Sequence, residues 1–128
     1  MQRINEHEVE GERFDAPYAR VVKHLAAPWT LGTTKIWLAV STVEPRSCSN
    51  AHTHDDMEEV FYVVSGYGRI RVGAEEENVG PGSCVFVPIG KEHQLINNHN
   101  GPFKVVAATS PPFQLEQFDA IHLKAKAK

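Results

Sequence analysis

The sequence is poor in cysteine, holds no long apolar run and carries no basic excess. Two cysteines, Cys48 and Cys84, stand among 128 residues. That excludes a disulfide framework, and their wide separation fits no zinc-ligand spacing. They are expected as reduced, partly buried thiols. No apolar stretch approaches the ~20 residues of a membrane-spanning helix. The net charge is −3 and the pI about 6.1. A nucleic-acid groove or an anionic membrane surface needs the opposite sign, so neither is an expected partner. The amino-terminal MQRINEHEVEGERF lacks the basic start and apolar centre of a secretion signal, which predicts a cytoplasmic location. No repeat of about 20–50 residues is present.

What remains is an ordinary balance of 41% hydrophobic and 23% charged residues. One domain of this length buries roughly 65–70% of its unfolded surface. Residues 1–17 lack periodicity and are expected as an extended arm. From 18 to 113 the pattern is one of short β-prone runs cut by glycine and proline. Strands are predicted at 18–25, 34–43, 47–53, 59–65, 69–72, 83–88, 94–97 and 103–109. Gly73 to Asn78 reads as a charged hairpin tip. Leu115, Phe118 and Ile121 recur at three-residue spacing and predict a helical turn or two within a tail at 114–128 that ends in KAKAK. No interval between strands is long enough for a crossover helix, which excludes a parallel βαβ architecture. The fold class is therefore all-β, a sandwich or barrel in a single domain.

The chemistry gathers between His52 and Asn97. His52 and His54 are separated by one residue, so on a strand both imidazoles leave the same face. Glu59 opens the next strand, and His93 follows the Pro88-Ile89-Gly90 turn. Three nitrogens and one carboxylate oxygen suit a divalent first-row metal (Fe, Mn, Ni, Zn or Cu) better than Mg or Ca. Burying such a set without a cation would be costly. An octahedral ion held by four residues keeps two open positions. With one carboxylate the site retains one positive charge and favours a small anionic or chelating ligand. Glu58 competes with Glu59 in sequence, but alternation turns one away when the other faces in. Phe61 and Val63 share the face of Glu59, and Leu95 that of His93; these three are the predicted pocket walls. His7, His24, His99 and His122 fall outside the cluster and are expected at the surface. Asn97 is expected in a turn.

These residues resemble the cupin superfamily. Its first motif reads Gly, five residues, His, one residue, His, three or four residues, Glu, six residues, Gly. His52, His54, Glu59 and Gly66 fit it, while Arg46 stands where the leading glycine belongs. The second motif reads Gly, five residues, Pro, one residue, Gly, two residues, His, three residues, Asn. Gly82, Pro88, Gly90, His93 and Asn97 match it without a gap. Nine such positions at frequencies near 0.05 give a chance match on the order of 10⁻¹². The resemblance implies a double-stranded β-helix, or jelly-roll barrel. It further implies one metal per chain on His52, His54, Glu59 and His93, and a homodimer paired through outer sheets and the amino-terminal arm. The activities it implies are oxygenase, decarboxylase, isomerase or lyase chemistry, with Glu59 as a candidate proton carrier. The alternative is a non-catalytic module holding a small ligand or sugar over a structural ion.

Overall fold

A computed structural model describes residues 1–122. The KAKAK tail expected at the surface lies outside the described residues. Ten strands form two antiparallel sheets. The first sheet holds β1 (Glu12–Phe14), β2 (Arg20–Ala26), β3 (Trp37–Val43), β10 (Phe103–Ser110), β5 (Glu58–Ser65) and β8 (Cys84–Val87). Their spatial order is β1-β2-β3-β10-β5-β8. The second holds β4 (Ser47–Cys48), β9 (His93–Asn97), β6 (Gly68–Val72) and β7 (Glu75–Val79), in the order β4-β9-β6-β7. One helix, α1 (Leu115–His122), follows β10. This is a jelly roll, the all-β form that the cupin resemblance implies.

Period-two alternation decides which side chains enter the barrel. In β5, Glu59, Phe61 and Val63 are buried and their neighbours exposed. In β9, His93, Leu95 and Asn97 are buried. In β10, Phe103, Val105, Ala107 and Thr109 are buried. These inward rows make one core that also takes in Trp37, Val43, Met57 and Val87.

Three departures from the sequence expectation have physical causes. The amino-terminal segment is not a free arm: β1 pairs with β2, and Phe14 is 1% exposed within the core. The predicted hairpin tip at 73–78 is largely a strand, β7, hydrogen-bonded to β6. Its charged side chains are exposed because it is an edge strand, so no apolar alternation marks it. Helix α1 packs on the core through Phe118, which meets Phe113 at 5.3 Å and His24 at 4.5 Å between ring centroids.

Of the turns with left-handed backbone, two bear on the first motif. Gly66 has φ 82, and a Cβ there would stand 2.1 Å from the Pro102 oxygen, so only glycine fits. Arg46 has φ 61, the conformation that the motif's missing glycine would supply. Its guanidinium donates to the Asn98 carbonyl at 3.2 Å and to Asn100 Oδ1 at 2.7 Å, which holds the turn without a glycine.

Candidate metal centre

Glu59 enters from β5 of the six-stranded sheet and His93 from β9 of the four-stranded one. His52 and His54 sit just before β5, outside the continuous strand that the spacing predicts, with His52 in an isolated antiparallel bridge to His93. Alternation still holds there: Ala51 and Thr53 are exposed, while His52 is half-buried and His54 buried. Backbone bonds lace these segments together. His52 and His93 exchange N–H···O bonds of 3.2 and 2.9 Å, and Gly90 donates to the His54 carbonyl at 2.8 Å. Gly90 takes φ 83 to do so, in the turn that Pro88 opens.

The ligating atoms of His52, His54, Glu59 and His93 all lie within 4.8 Å of one another. Glu59 Oε1 is 3.0 Å from His54 Nε2 and 3.1 Å from His93 Nε2. Two cis ligands about 2.1 Å from one ion are separated by ~3.0 Å, so these edges fit a metal shell. His52 Nδ1 lies 2.9 Å from the Asn50 carbonyl and His93 Nδ1 lies 3.0 Å from the Lys91 carbonyl. A carbonyl only accepts, so each Nδ1 carries the proton and each Nε2 keeps its lone pair.

The decisive feature is what remains unsatisfied. His54 Nδ1 and His93 Nε2 are buried without a hydrogen-bond partner. His93 Nε2 is near Glu59 yet outside hydrogen-bonding geometry, so proximity alone does not satisfy it. Orphaned buried polar atoms are rare because each costs about 1–3 kcal/mol. A cation held by the four residues would take the lone pair of His93 Nε2; His54, whose Nε2 faces Glu59, would keep its Nδ1 on the far side of the ring. The electrostatics agree. Burial, and then the neighbouring His93, push the His52 imidazole down to about 3, so it stays neutral and able to ligate. Burial raises the Glu59 carboxyl, but its contacts with His54 and His93 outweigh that and hold it below the usual carboxylate range. Glu58 is exposed and takes no part.

The family model for the cupin domain, Cupin_2, matches residues 39–109, more than half of the chain. The chain belongs to the cupin family. This cupin is 26% identical over 101 residues to an uncharacterized protein of Methanocaldococcus jannaschii, across 79% of this chain and 81% of that one. It is 29% identical over 87 residues to the tetracenomycin polyketide synthase protein TcmJ of Streptomyces glaucescens, across 68% of this chain and 58% of that protein. Among solved structures, a predicted oxalate decarboxylase from Thermotoga maritima superposes with a TM-score of 0.75 at 19% identity, covering 84% of this chain and 96% of that one. KdgF from Halomonas sp. gives 0.76 at 16% identity, covering 91% and 97%. At such identities the likeness is one of fold.

In this cupin a cavity of about 40 Å³ adjoins the cluster, with His52 and Glu59 in its wall. Phe61 and Leu95 line it. Val63 is fully buried, lies opposite Val105 in the sheet register, and is not among the lining residues. Two of the histidines expected at the surface are buried. His24 is inward on β2, where its ring approaches Glu12 Oε1 at 2.7 Å and accepts from Trp37 Nε1 at 3.0 Å. His122, on α1 four residues after Phe118, stacks on that ring at 4.1 Å and lines the cavity. Burial, and then His52, push its imidazole down to about 2. Its spacing from Phe118 on one helix face was the available signal. His7 and His99 are exposed, as expected. Asn97, expected in a turn, is instead the buried last residue of β9: its amide donates to the Val43 and Gly101 carbonyls, and its oxygen accepts from the His99 N–H.

Sequence reasoning also missed Arg20. Its signal was the inward alternation of Arg20, Val22 and His24 along β2. Arg20 is 2% exposed and lines the same cavity. Cys48 is half-buried and Cys84 exposed, and both are free thiols.

Proposed function

We propose that this cupin holds one divalent transition metal (Fe, Mn, Ni, Zn or Cu) on His52, His54, Glu59 and His93, and that it binds and transforms a small anionic or chelating metabolite. The observation that carries this reading is the buried His93 Nε2 without a hydrogen-bond partner, 3.1 Å from Glu59 Oε1, in a set of four ligand atoms that all lie within 4.8 Å of one another. A bound ion supplies Lewis-acid or redox chemistry at its open positions. The chain's own residues do the rest. The Asn50 and Lys91 carbonyls fix the ring orientation of His52 and His93. Glu59 cancels one positive charge and is the candidate proton carrier. Phe61 and Leu95 keep the ligand's other side dry, and Val63 is assigned to packing behind them.

Elemental analysis of protein purified without chelator or affinity metal tests the first half. Less than about a tenth of an equivalent of any transition metal overturns it, because a three-imidazole, one-carboxylate set binds such ions strongly. Turnover of a panel of small acids and enols tests the second. Tight binding without conversion assigns the alternative, a non-catalytic ligand module. A Glu59→Gln variant that retains metal and full turnover removes the proton role.

We further assign a homodimer through the outer face of β5 and β8, where Val60, Tyr62, Val64 and Phe86 are exposed. A monomer of 14.3 kDa by light scattering would refute it. The two free thiols support a reducing, cytoplasmic setting. No described helix is long and apolar enough to cross a membrane.

A further inference from the structure

Among the described residues lining the cavity, Arg20 is the one cationic side chain; the Glu12 carboxylate favours its charge but forms no ion pair with it. Its guanidinium donates to the Tyr18 carbonyl at 3.1 Å and to Asn50 Oδ1 at 2.9 Å. The cation also sits 4.1 Å from the Phe14 ring centroid. All three partners are uncharged. No carboxylate among the described residues forms an ion pair with it. A desolvated, unpaired charge costs several kcal/mol, so a buried arginine is normally met by an anion. Of its five N–H groups, two hydrogen bonds account for part, and the remainder stay available in a fixed fork.

Asn50 ties this cation to the metal cluster. Its side chain accepts from Arg20 while its backbone carbonyl holds His52 Nδ1. The same amide donates to the Ile121 carbonyl at 3.3 Å, on α1. Arg20 is thereby fixed in position relative to the histidines. Among the described residues Glu59 is the only carboxylate lining the cavity, so a divalent ion, Glu59 and Arg20 leave a net charge of about +2. The cavity of about 40 Å³ holds roughly three waters at ~10–15 Å³ each.

We propose that Arg20 is the carboxylate anchor of this site, and that the ligand is a short dianion of two to four carbons whose second acidic group reaches the metal. This rests on the metal reading given above. Burial also lowers the Arg20 pKa, to about 10, which still leaves it charged at neutral pH.

The test compares wild type with Arg20→Met and Arg20→Lys. Metal content is measured first, then calorimetric binding of oxalate, malonate, succinate and adipate to Mn(II)-loaded protein. A neutral chelator, acetohydroxamic acid, serves as the control that needs the metal alone. Thermal shifts by the same dicarboxylates are recorded on chelator-treated protein. Expected are submillimolar binding of the shorter acids, exclusion of adipate and at least a tenfold loss in Arg20→Met. Arg20→Lys should recover part of that loss. Metal content and acetohydroxamic acid affinity should stay unchanged in both variants. Equal dicarboxylate affinity in metal-replete Arg20→Met overturns the anchor, as does failure of wild type to bind any of the four. A parallel loss of metal or of acetohydroxamic acid binding in Arg20→Met and Arg20→Lys assigns Arg20 to holding Asn50 and His52 instead. Absence of metal from wild type defeats the metal reading by itself. The anchor then stands or falls on whether malonate still raises the melting temperature of wild type and not of Arg20→Met.

Discussion

Replacing His122 by phenylalanine should make the metal-free protein resist acid better than wild type. His122 is 5% exposed, and its pKa falls from the usual 6.5 to about 2, with burial the leading cause. A folded value below the unfolded one means that the unfolded chain binds the extra proton. The stability contribution is complete above about pH 6.5 and is lost as pH falls toward 2. Between pH 6.5 and 4.5 the folded imidazole stays neutral while the unfolded one charges. Two units at 1.36 kcal/mol each make the loss about 2–3 kcal/mol. For a domain of this size that is roughly 10 °C in Tm. His52 contributes with the same sign in both proteins and largely drops out of the comparison. Phenylalanine keeps the stack on Phe118 and gives up the contact of Nδ1 with the Phe118 carbonyl at 2.9 Å. The assay is urea unfolding of chelator-treated protein at pH 7 and pH 4.5. His122→Phe should lose about 2–3 kcal/mol less than wild type over that interval. Equal losses would refute a buried, neutral His122.

Other substitutions probe the scaffold. Gly66→Ala should cost at least about 2–3 kcal/mol or abolish soluble expression, since φ is 82 and the new Cβ meets the Pro102 oxygen; denaturant midpoints decide it. Phe118→Ala should cost about 3–5 kcal/mol in urea unfolding, because its ring packs on His24, Trp37, Phe113 and His122. Arg46→Gly should change stability by less than about 1 kcal/mol. It relieves the left-handed strain but loses the exposed bonds to Asn98 and Asn100, and a thermal melt that moves by many degrees would contradict this balance. Glu59→Gln should lower retained metal severalfold at matched loading, read by elemental analysis, because an amide offers the ion no negative charge.

The ligand-bearing stretches were legible because their information is local. One-residue spacing sets a shared face, and glycine and proline set the turns that bring His93 to His52. Arg20 and His24 were not legible in the same way. A charged or polar residue on a strand faces inward or outward according to how the whole barrel closes, and β2 alternates the same whichever face is buried. His122 was obscured because the helix carrying it follows the last motif, so its inward face depends on Phe113, Trp37 and His24, remote in sequence. At β7 the difficulty was different. An edge strand needs no buried face, so hydrogen bonding to β6 makes it a strand without leaving a hydrophobic pattern. Arg46 shows the limit of motif matching: the backbone keeps the conformation of the missing glycine, with the asparagines of the 98–100 loop as its support.

Glu59 and His93 belong to opposite sheets, and that has a mechanical consequence. An ion gripping both would be a rivet through the sandwich, joining layers that otherwise adhere by side-chain packing and by hydrogen bonds such as that from Asn97 to the Val43 carbonyl. It would close a loop across the turns between β5 and β9, and removing it would restore freedom to the layers as well as to four side chains. Amide exchange should then quicken along β5 and β9 together when the metal is stripped, with the outer edge at β7 hardly affected. The same ion that meets the ligand would set how tightly the two halves of the barrel are clamped around it.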